Sequence, residues 1–315
     1  MDLMQQKTNQ TKDIQRFLKS YLSKSHFDQE MIDQIFNLLH AKGKIFSKQE
    51  NSFSWGQFYL HVCSLTFNEH TCNHSLIANA GAIELLILAT DIIDEIVDDD
   101  DGFMSTMTLS EAITISNALL MDAFDLLLEH APNNTHARFS TLFKQLKIAC
   151  NGQWKDFKLV VSETIPSEED YFQVIEQKSA SLIQLVCSLA NPSNPQRLSR
   201  IAMNIGIAGQ LKNDANDIFI DSKTDLNHKK ATLPVIKAIE FSLEKDNGVL
   251  LHKYHNLTEG DTELKEEIRD YIRKTGAQDY CIILSKLYIK KAIEELCETF
   301  PNKQTEIERV QDYLS

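Results

Sequence analysis

Residues that form tight turns are scarce in this chain, which has 10 glycines and 6 prolines among 315 residues. Ordinary usage is about 7% for glycine and 5% for proline, so both are at about half of that level or less. No Asn-Gly or Asp-Gly pair separates two alternating apolar runs, the usual signal of a β-hairpin. Because apolar residues still make up 43% of the chain, the sequence predicts an all-α fold, built as a single large helical bundle.

Apolar residues recur at helical spacing along most of the chain. Residues 1–45 are predicted to form one or two N-terminal helices, and a short helix is predicted near the C-terminus. Between them, helical patterns cover 54–68, 74–98, 108–131, 136–161, 168–191, 196–220, 230–244, 262–274 and 276–299. The polar segment 221–230 interrupts the pattern and is predicted to be a lid loop over a substrate. No shift in composition divides the chain, so residues 1–315 are predicted to be one domain.

Charge and composition argue against several classes of protein. A net charge of −13 argues against nucleic acid as a partner, because nucleic-acid binding needs a basic face. The N-terminus lacks the apolar stretch of a signal peptide, and the most apolar segment, 80–89, is too short to span a bilayer. The six cysteines form no CxxC pair, which is typical of reduced core thiols. The sequence therefore predicts a cytoplasmic protein without a transmembrane segment.

Two segments about 120 residues apart carry aspartates at positions i, i+3 and i+7. They are Asp91, Asp94 and Asp98 in the first segment and Asp214, Asp217 and Asp221 in the second. On a helix this spacing places the side chains on one face. Two carboxylates about 4 Å apart repel by roughly 4 kcal/mol at an effective dielectric constant near 20. Clusters this costly predict bound divalent cations, and oxygen ligands indicate Mg²⁺ shared with a phosphorylated substrate.

An ordinary solvated face is the alternative explanation for such a cluster. It would account for the acidic run 98–101 alone. It does not account for Asp91 and Asp94, which lie in a strongly apolar stretch, or for the matched spacing of the second cluster. The paired clusters therefore favour metal binding.

Five segments, in order, resemble motifs of the trans-type polyprenyl diphosphate synthases, and together they cover about 75–235. Thr90-Asp91-Ile92-Ile93-Asp94 resembles DDxxD with threonine in the first acidic place. Gly209 to Asp217 resembles FQxxDDxxD with Asn213 in place of the first aspartate. The remaining three are Gly152-Gln153 to Asp156 (GQxxD), Tyr171 with Lys178-Ser179-Ala180-Ser181-Leu182 (Y…KTAxL), and Asp225 to Pro234 (DLxxGKxTLP).

The resemblance implies an isoprenoid-synthase type of fold, with helices around a central apolar cavity, and an allylic prenyl diphosphate of the geranyl or farnesyl class as substrate. It implies a homodimer and two or three Mg²⁺ ions bound with the diphosphate. The metal-site residues are then Asp91, Asp94, Asp214 and Asp217, to which the spacing adds Asp98, Asn213 and Asp221. Lys178, Lys230 and Gln210 would bind the diphosphate, and Ser179 and Gln210 would lie beside the developing allylic cation.

Two departures from the family concern the second substrate. Chain-elongating members carry GGKRxRP about 35 to 40 residues before the first motif, whereas residues 51–58 here contain no basic residue. An arginine pair follows the first motif in those members, whereas Asp99, Asp100 and Asp101 stand here. Isopentenyl diphosphate is therefore not the expected acceptor. The chain is similar at 81–88 and 275–280 to the ComQ-type branch, whose members prenylate a tryptophan of a peptide pheromone precursor, which predicts a peptide acceptor.

Three alternatives remain open at this point. A chain-elongating synthase could use displaced basic residues, for which Lys42, Lys44 and Lys48 are the nearest candidates. A terpene cyclase is suggested by the i, i+4, i+8 spacing from Asn213, although aspartates stand where a serine or threonine and a glutamate belong. A non-catalytic subunit of a heteromeric synthase is suggested because Thr90 and Asn213 each replace a carboxylate. Retention of Lys178, Gln210 and Lys230 favours an enzyme.

Overall fold

The computed structural model describes residues 3–47, 54–67, 73–98, 106–131, 135–191, 193–258 and 260–314. All regular elements in these residues are helices, and the one extended contact is an isolated bridge between Val160 and Lys230. The all-α prediction is confirmed. The five described cysteines are free thiols.

Helices make up most of the described residues, as the shortage of turn formers predicts. They are α1 (Leu3–Leu22), α2 (Gln29–Leu39), α3 (Trp55–Thr66), α4 (His74–Asp98), α5 (Leu109–Glu129), α6 (Thr135–Asp156), α7 (Glu168–Ile175), α8 (Ser181–Ala190), α9 (Ser199–Asp217), α10 (Leu233–Lys245), α11 (Val249–Asn256), α12 (Thr262–Thr275), α13 (Ala277–Thr299) and α14 (Gln304–Leu314). A π-helical turn, Glu176–Ala180, joins α7 to α8.

The structure differs from the predicted helices chiefly at four places. The continuous helix predicted over 168–191 is interrupted by the π turn, and α11 was not predicted. Helix α6 ends at Asp156 rather than at residue 161, and α9 ends at Asp217 rather than at residue 220. Helical periodicity continues through a π turn and into a short loop, so the apolar pattern alone does not reveal such local changes in backbone geometry.

Helix α4 is the central element of the core. Its residues Ala82, Ile83, Leu85 and Leu86 are completely buried, and it packs against α3 and α5. A helix that is apolar all round must be buried on every side. Among the described residues α4 is long and apolar enough to cross a membrane, but 78% of its most apolar 18-residue window is buried inside the protein. That is the environment of a core helix.

The core consists of two clusters of buried side chains that meet along α9. One cluster is built mainly from α1 to α5, α8 and α14, and it includes Ile201 and Ile205 of α9. The other is built mainly from α7 and α10 to α13, and it includes Ile207 and Leu211 of α9. The first half of α9 therefore belongs to one core cluster, and its last turns, which carry Asp214 and Asp217, belong to the other. The single-domain boundary at 1–315 stays a prediction.

Candidate active site

A polar cleft of about 170 Å³ lies where the C-terminal ends of α4, α6 and α9 meet the π turn and the segment after α9. Eight of the predicted site residues line it: Asp94, Asp98, Lys178, Gln210, Asn213, Asp214, Asp217 and Lys230. Five further polar residues that were given no role in the sequence analysis also line it: Asp156, Tyr171, Lys223, Asp225 and Thr232. Four of them, Asp156, Tyr171, Asp225 and Thr232, stand in segments that resemble family motifs, which was the available signal for them.

Lys178 connects the first aspartate cluster to α6. Its Nζ lies 2.9 Å from Asp94 Oδ1, 2.7 Å from Asp156 Oδ2 and 4.0 Å from Asp98 Oδ2. Burial by itself would lower the pKa of this amine, but the carboxylates of Asp94 and Asp156 raise it above its usual value. Lys178 is therefore a charged ammonium group throughout the physiological pH range. It balances carboxylates that would otherwise repel one another.

Lys230 occupies the other side of the same cluster. Its Nζ lies 2.7 Å from Asp98 Oδ1, 3.3 Å from Asp225 Oδ1 and 3.8 Å from Asp156 Oδ2. Burial opposes its charge, but the Asp225 and Asp156 carboxylates raise its pKa, so this side chain also remains positively charged. The two lysines thus share Asp98 and Asp156 between them.

A hydrogen-bonded chain links Ser179 to the second aspartate cluster. Ser179 Oγ donates to Gln210 Oε1 at 2.5 Å, and Gln210 Nε2 donates to Asp214 Oδ1 at 2.6 Å. Tyr171 donates to Asp214 Oδ2 at 2.7 Å. Burial and the neighbouring Asp225 carboxylate raise the pKa of Asp214 to about 7, although the hydrogen bonds from Tyr171 and Gln210 oppose the increase. The Gln210 side chain is held in one orientation by partners at both ends.

The raised pKa of Asp214 predicts a pH dependence of stability in metal-free protein. Between the unfolded pKa near 4 and the folded pKa of about 7, the folded state binds the proton that the unfolded state has lost. The free energy of unfolding therefore falls by on the order of a few kcal/mol as the pH rises through this window. Urea unfolding in chelator at pH 5 and pH 8 should show this fall, and Asp214→Asn should reduce it. An unchanged pH dependence in that variant would contradict the assignment.

Two glycines hold the π turn in place. A Cβ at Gly152 of α6 would lie 2.2 Å from the backbone nitrogen of Lys178, and a Cβ at Gly206 of α9 would lie 2.3 Å from Cα of Ala180. Only glycine permits such close backbone approach. The π turn is therefore clamped between α6 and α9, which directs Lys178 into the cleft. Ser179 does not line the cleft and instead contacts Gln210.

Asp91 does not line the cleft, contrary to the expectation that it joins Asp94 there. Its carboxylate instead forms an ion pair with Lys44 Nζ. The first-cluster residues that do line the cleft are Asp94 and Asp98. The metal-binding role that the resemblance to DDxxD gives Asp91 stays a prediction.

Asp221 lies outside the cleft as well. The prediction that it continues the helical face of Asp214 and Asp217 was wrong, because α9 ends at Asp217. Arg269 holds the segment that follows α9 away from the helical path. Its Nε donates to the Ile218 carbonyl at 2.9 Å, and its Nη1 donates to Asp221 Oδ1 at 2.6 Å. The Asp221 side chain is 92% exposed.

The predicted lid loop, 221–230, forms one wall of the cleft. Thr224 Oγ1 donates to the backbone carbonyl of Asp98 at 2.5 Å, which ties the loop to the end of α4. The N–H of Val161 donates to the Lys229 carbonyl at 2.8 Å and fixes the other end of the loop. These contacts place Lys223, Asp225 and Lys230 at the cleft. Its opening and closing stay a prediction.

The donor set of the cleft fits Mg²⁺ shared with a diphosphate. Every potential ligand is an oxygen, from Asp94, Asp98, Asp214, Asp217 and the Asn213 amide, and Mg²⁺ prefers such ligands. In the part of the chain that the structure describes, no three carboxylate, histidine or cysteine side chains lie close enough together to hold a metal ion by themselves. Phosphate oxygens and water would have to complete the coordination of Mg²⁺ in this cleft. Asp99, Asp100 and Asp101 lie outside the described residues, as do Asn51, Ser52, Phe53 and Lys48.

Known proteins are similar to this chain over most of its length, including the segments that form the cleft. A sequence model of one family, described as polyprenyl synthetase, matches residues 56–272. The tryptophan prenyltransferase ComQ of Bacillus spizizenii is 27% identical over 255 residues, which are 77% of this chain and 87% of that protein. The geranylgeranyl diphosphate synthase of Sulfolobus acidocaldarius is 29% identical over 239 residues, which are 69% of this chain and 72% of that protein.

A solved structure shares the fold of the whole bundle. The polyprenyl synthase of Caulobacter crescentus, complexed with calcium and isoprenyl diphosphate, superposes with a TM-score of 0.79 at 18% identity and covers 99% of this chain and 96% of its own. This likeness confirms the predicted isoprenoid-synthase type of fold.

Proposed function

The chain belongs to the polyprenyl synthetase family and is a prenyltransferase, and from this premise we propose that it transfers a geranyl or farnesyl group from an allylic diphosphate to a tryptophan side chain of a peptide. The donor half of the proposal is carried by one observation: two buried lysines and the carboxylates of both aspartate clusters converge on one cleft. The acceptor half is supported by similarity to ComQ.

Asp94 and Asp98 on one side and Asp214 and Asp217 on the other are the residues proposed to hold Mg²⁺, together with Asn213. Bound with the diphosphate, the metal neutralises negative charge on the departing phosphate oxygens. The exclusively oxygen donors of the cleft support this assignment.

Lys178 and Lys230 are proposed to bind the diphosphate oxygens directly. Both side chains are largely buried, with 15% of Lys178 and 9% of Lys230 exposed, and both ammonium groups remain charged because carboxylates surround them. A preorganised positive charge in a site with little water stabilises the developing negative charge more than water does, because it needs no reorganisation during the reaction. The aspartates that now contact these lysines are the proposed metal ligands, so binding of the metal–diphosphate complex would release the ammonium groups toward phosphate.

Gln210 and Ser179 are proposed to lie beside the allylic cation. The carbonyl oxygen of Gln210 accepts from Ser179 and its amide nitrogen donates to Asp214. Oxygen dipoles held in this way stabilise a positive charge that develops nearby. Because both ends of the Gln210 side chain are engaged, its oxygen is fixed before the substrate ionises.

The acceptor is proposed to carry no diphosphate. A second diphosphate needs basic groups of its own, and the two buried lysines at the cleft already contact carboxylates. Elongation with isopentenyl diphosphate is the second candidate function. It is favoured by similarity to the geranylgeranyl diphosphate synthase of Sulfolobus acidocaldarius.

A product assay separates the two candidates. The purified protein is incubated with Mg²⁺ and labelled farnesyl or geranyl diphosphate, and it receives either isopentenyl diphosphate or a tryptophan-containing peptide. We expect a peptide product whose mass has increased by one prenyl group, and no longer prenyl diphosphate. The matched control peptide carries phenylalanine in place of tryptophan. Elongated diphosphates without any peptide product would overturn the acceptor proposal, and hydrocarbon released from the donor alone would indicate a cyclase.

A further inference from the structure

The N-terminus of α10 lies at the cleft. Lys230, Ala231 and Thr232, the three residues that precede this helix, all line the cleft. The first N–H groups of a helix have no partner inside the helix, and they carry the positive end of the helix dipole. This end of α10 therefore favours a bound anion over a bound cation.

The side chain of Thr232 provides a second, independent observation. Thr232 is the N-cap residue of α10, a position where a threonine hydroxyl usually accepts from an N–H of the first turn. In the described part of the chain, its hydroxyl makes no such cap. Thr232 is 8% exposed, and its Oγ1 has no hydrogen-bond partner among the described residues, although several carboxylates line the same cleft. Buried hydroxyls are seldom left without a partner, so this one indicates a ligand atom at the cleft.

The backbone that leads into α10 is held in place before any ligand binds. The N–H of Ala231 donates to the Leu159 carbonyl at 2.8 Å. The buried Tyr254 hydroxyl donates to the Lys230 carbonyl at 2.8 Å. Leu233, the first residue of α10, is completely buried. The helix end is therefore preorganised, which lowers the cost of binding a ligand there.

The Thr232 hydroxyl differs from the two cleft lysines in its contacts. Lys178 and Lys230 contact carboxylates, and those contacts must be given up before the ammonium groups can reach phosphate. The Thr232 hydroxyl is neutral and has no hydrogen bond to a described residue to give up. Rotation about one staggered side-chain torsion is enough to turn it toward an oxygen in the cleft.

We propose that Thr232 and the N-terminus of α10 bind an oxygen of the donor diphosphate, with the Thr232 hydroxyl as a hydrogen-bond donor. The inference rests on the proposed function, in which an allylic diphosphate and Mg²⁺ occupy this cleft. It adds a neutral contact to the two lysines, and this contact can form first because no carboxylate has to leave. Thr232 is then a substrate-binding residue and not a metal ligand, since a helix N-terminus disfavours a cation.

The test is isothermal titration calorimetry of the full chain with inorganic pyrophosphate and Mg²⁺. Thr232→Val removes the hydroxyl, keeps the branched shape of the side chain, and alters neither the charge of the cleft nor a proposed metal ligand. We expect this variant to bind pyrophosphate roughly tenfold more weakly than the wild type, as is typical for the loss of one hydrogen bond to a charged group. Thr232→Ser keeps a hydroxyl and should bind nearly as tightly as the wild type.

Stability should respond differently from affinity. Because the buried hydroxyl of Thr232 has no partner among the described residues, Thr232→Val should unfold at the same urea concentration as the wild type or at a higher one. Thr108→Val is the matched control: Thr108 is the N-cap residue of α5, and its Oγ1 accepts from the N–H of Glu111 at 3.3 Å. This control loses its cap and should unfold at a lower urea concentration. Its affinity for pyrophosphate should equal that of the wild type.

Three results would overturn the inference. A folded Thr232→Val protein with wild-type affinity would show that the hydroxyl meets only water. The same loss in Thr232→Ser as in Thr232→Val would show that packing, and not the hydroxyl, determines the affinity. An equal loss in Thr108→Val would show that the effect is not local to the cleft. If Thr232→Val does not fold, Thr232→Ala gives the same comparison with Thr232→Ser.

Failure of the proposed function would look different. A wild-type protein that binds no pyrophosphate in the presence of Mg²⁺ would contradict the donor site as a whole, and this contact with it. The product assay with isopentenyl diphosphate and the tryptophan peptide decides the acceptor, and its outcome does not change the expected behaviour of the Thr232 variants.

Discussion

An Asp98→Asn enzyme is expected to release pyrophosphate from farnesyl diphosphate with a kcat at least about a hundredfold below that of the wild type. Asp98 contacts both buried lysines, with Oδ1 2.7 Å from Lys230 Nζ and Oδ2 4.0 Å from Lys178 Nζ. It is also a proposed metal ligand. Loss of one preorganised electrostatic group in an active site typically costs about 10²- to 10³-fold in kcat. The substitution keeps the side-chain shape and removes the charge that positions the lysines and the metal.

The measurement is steady-state pyrophosphate release over a Mg²⁺ titration, with Asp270→Asn as the control substitution at an exposed site. If Asp98 holds the metal, higher Mg²⁺ should partly restore the rate of Asp98→Asn, and the control should follow the wild-type curve. Wild-type turnover in Asp98→Asn at ordinary Mg²⁺ would show that the donor site does not depend on this carboxylate.

Gly152→Ala is expected to destabilise the protein and to lower kcat together. The new methyl group would lie 2.2 Å from the Lys178 nitrogen and 2.4 Å from the Gln177 carbonyl carbon. Both are backbone atoms of the π turn, so α6 and the turn must separate. Overpacking of this kind costs typically about 1–3 kcal/mol of unfolding free energy. A displacement of Lys178 by about 1 Å can cost a further factor of roughly 10² in rate.

Gly209→Ala provides the matched comparison for stability. Gly209 is in α9, and a Cβ there meets nothing within 4 Å. Because glycine is a poor helix former, alanine at this position should leave the stability unchanged or raise it by up to about 1 kcal/mol. Urea denaturation of both variants, with circular dichroism as the signal, measures the difference. A Gly152→Ala protein as stable as Gly209→Ala would show that the π turn is not clamped as described.

The helical class and most of the cleft were predictable from local information. The scarcity of glycine and proline and the helical periodicity predicted an all-α protein, and the structure confirms it. Lys178, Gln210, Asp214 and Lys230 stand in segments that resemble family motifs, and the structure brings all of them to one cleft. Their roles were predicted from the resemblance to the family motifs, not from helical periodicity.

The errors in the predicted site arose where regular helical spacing was not sufficient. Asp91 and Asp94 both fit a strip of carboxylates on one helical face, and the strip does not show which of them turns toward the lysines. Asp221 fits the spacing of its own cluster, but the helix ends four residues before it. Arg269, which draws Asp221 away, is 48 residues further along the chain. A contact between residues so far apart in the chain cannot be predicted from local periodicity.

The sequence by itself determined the helices, the apolar core helix α4 and the chemical types of the site residues, because these depend on interactions within a few turns of one helix. Tertiary structure alone decided which acids meet which lysines, that the π turn directs Lys178 into the cleft, and that Lys44 engages Asp91. These choices depend on backbone approach at Gly152 and Gly206 and on charges from distant segments. Their energies arise only when the helices pack against one another, because packing excludes water and brings groups far apart in the chain within a few ångströms.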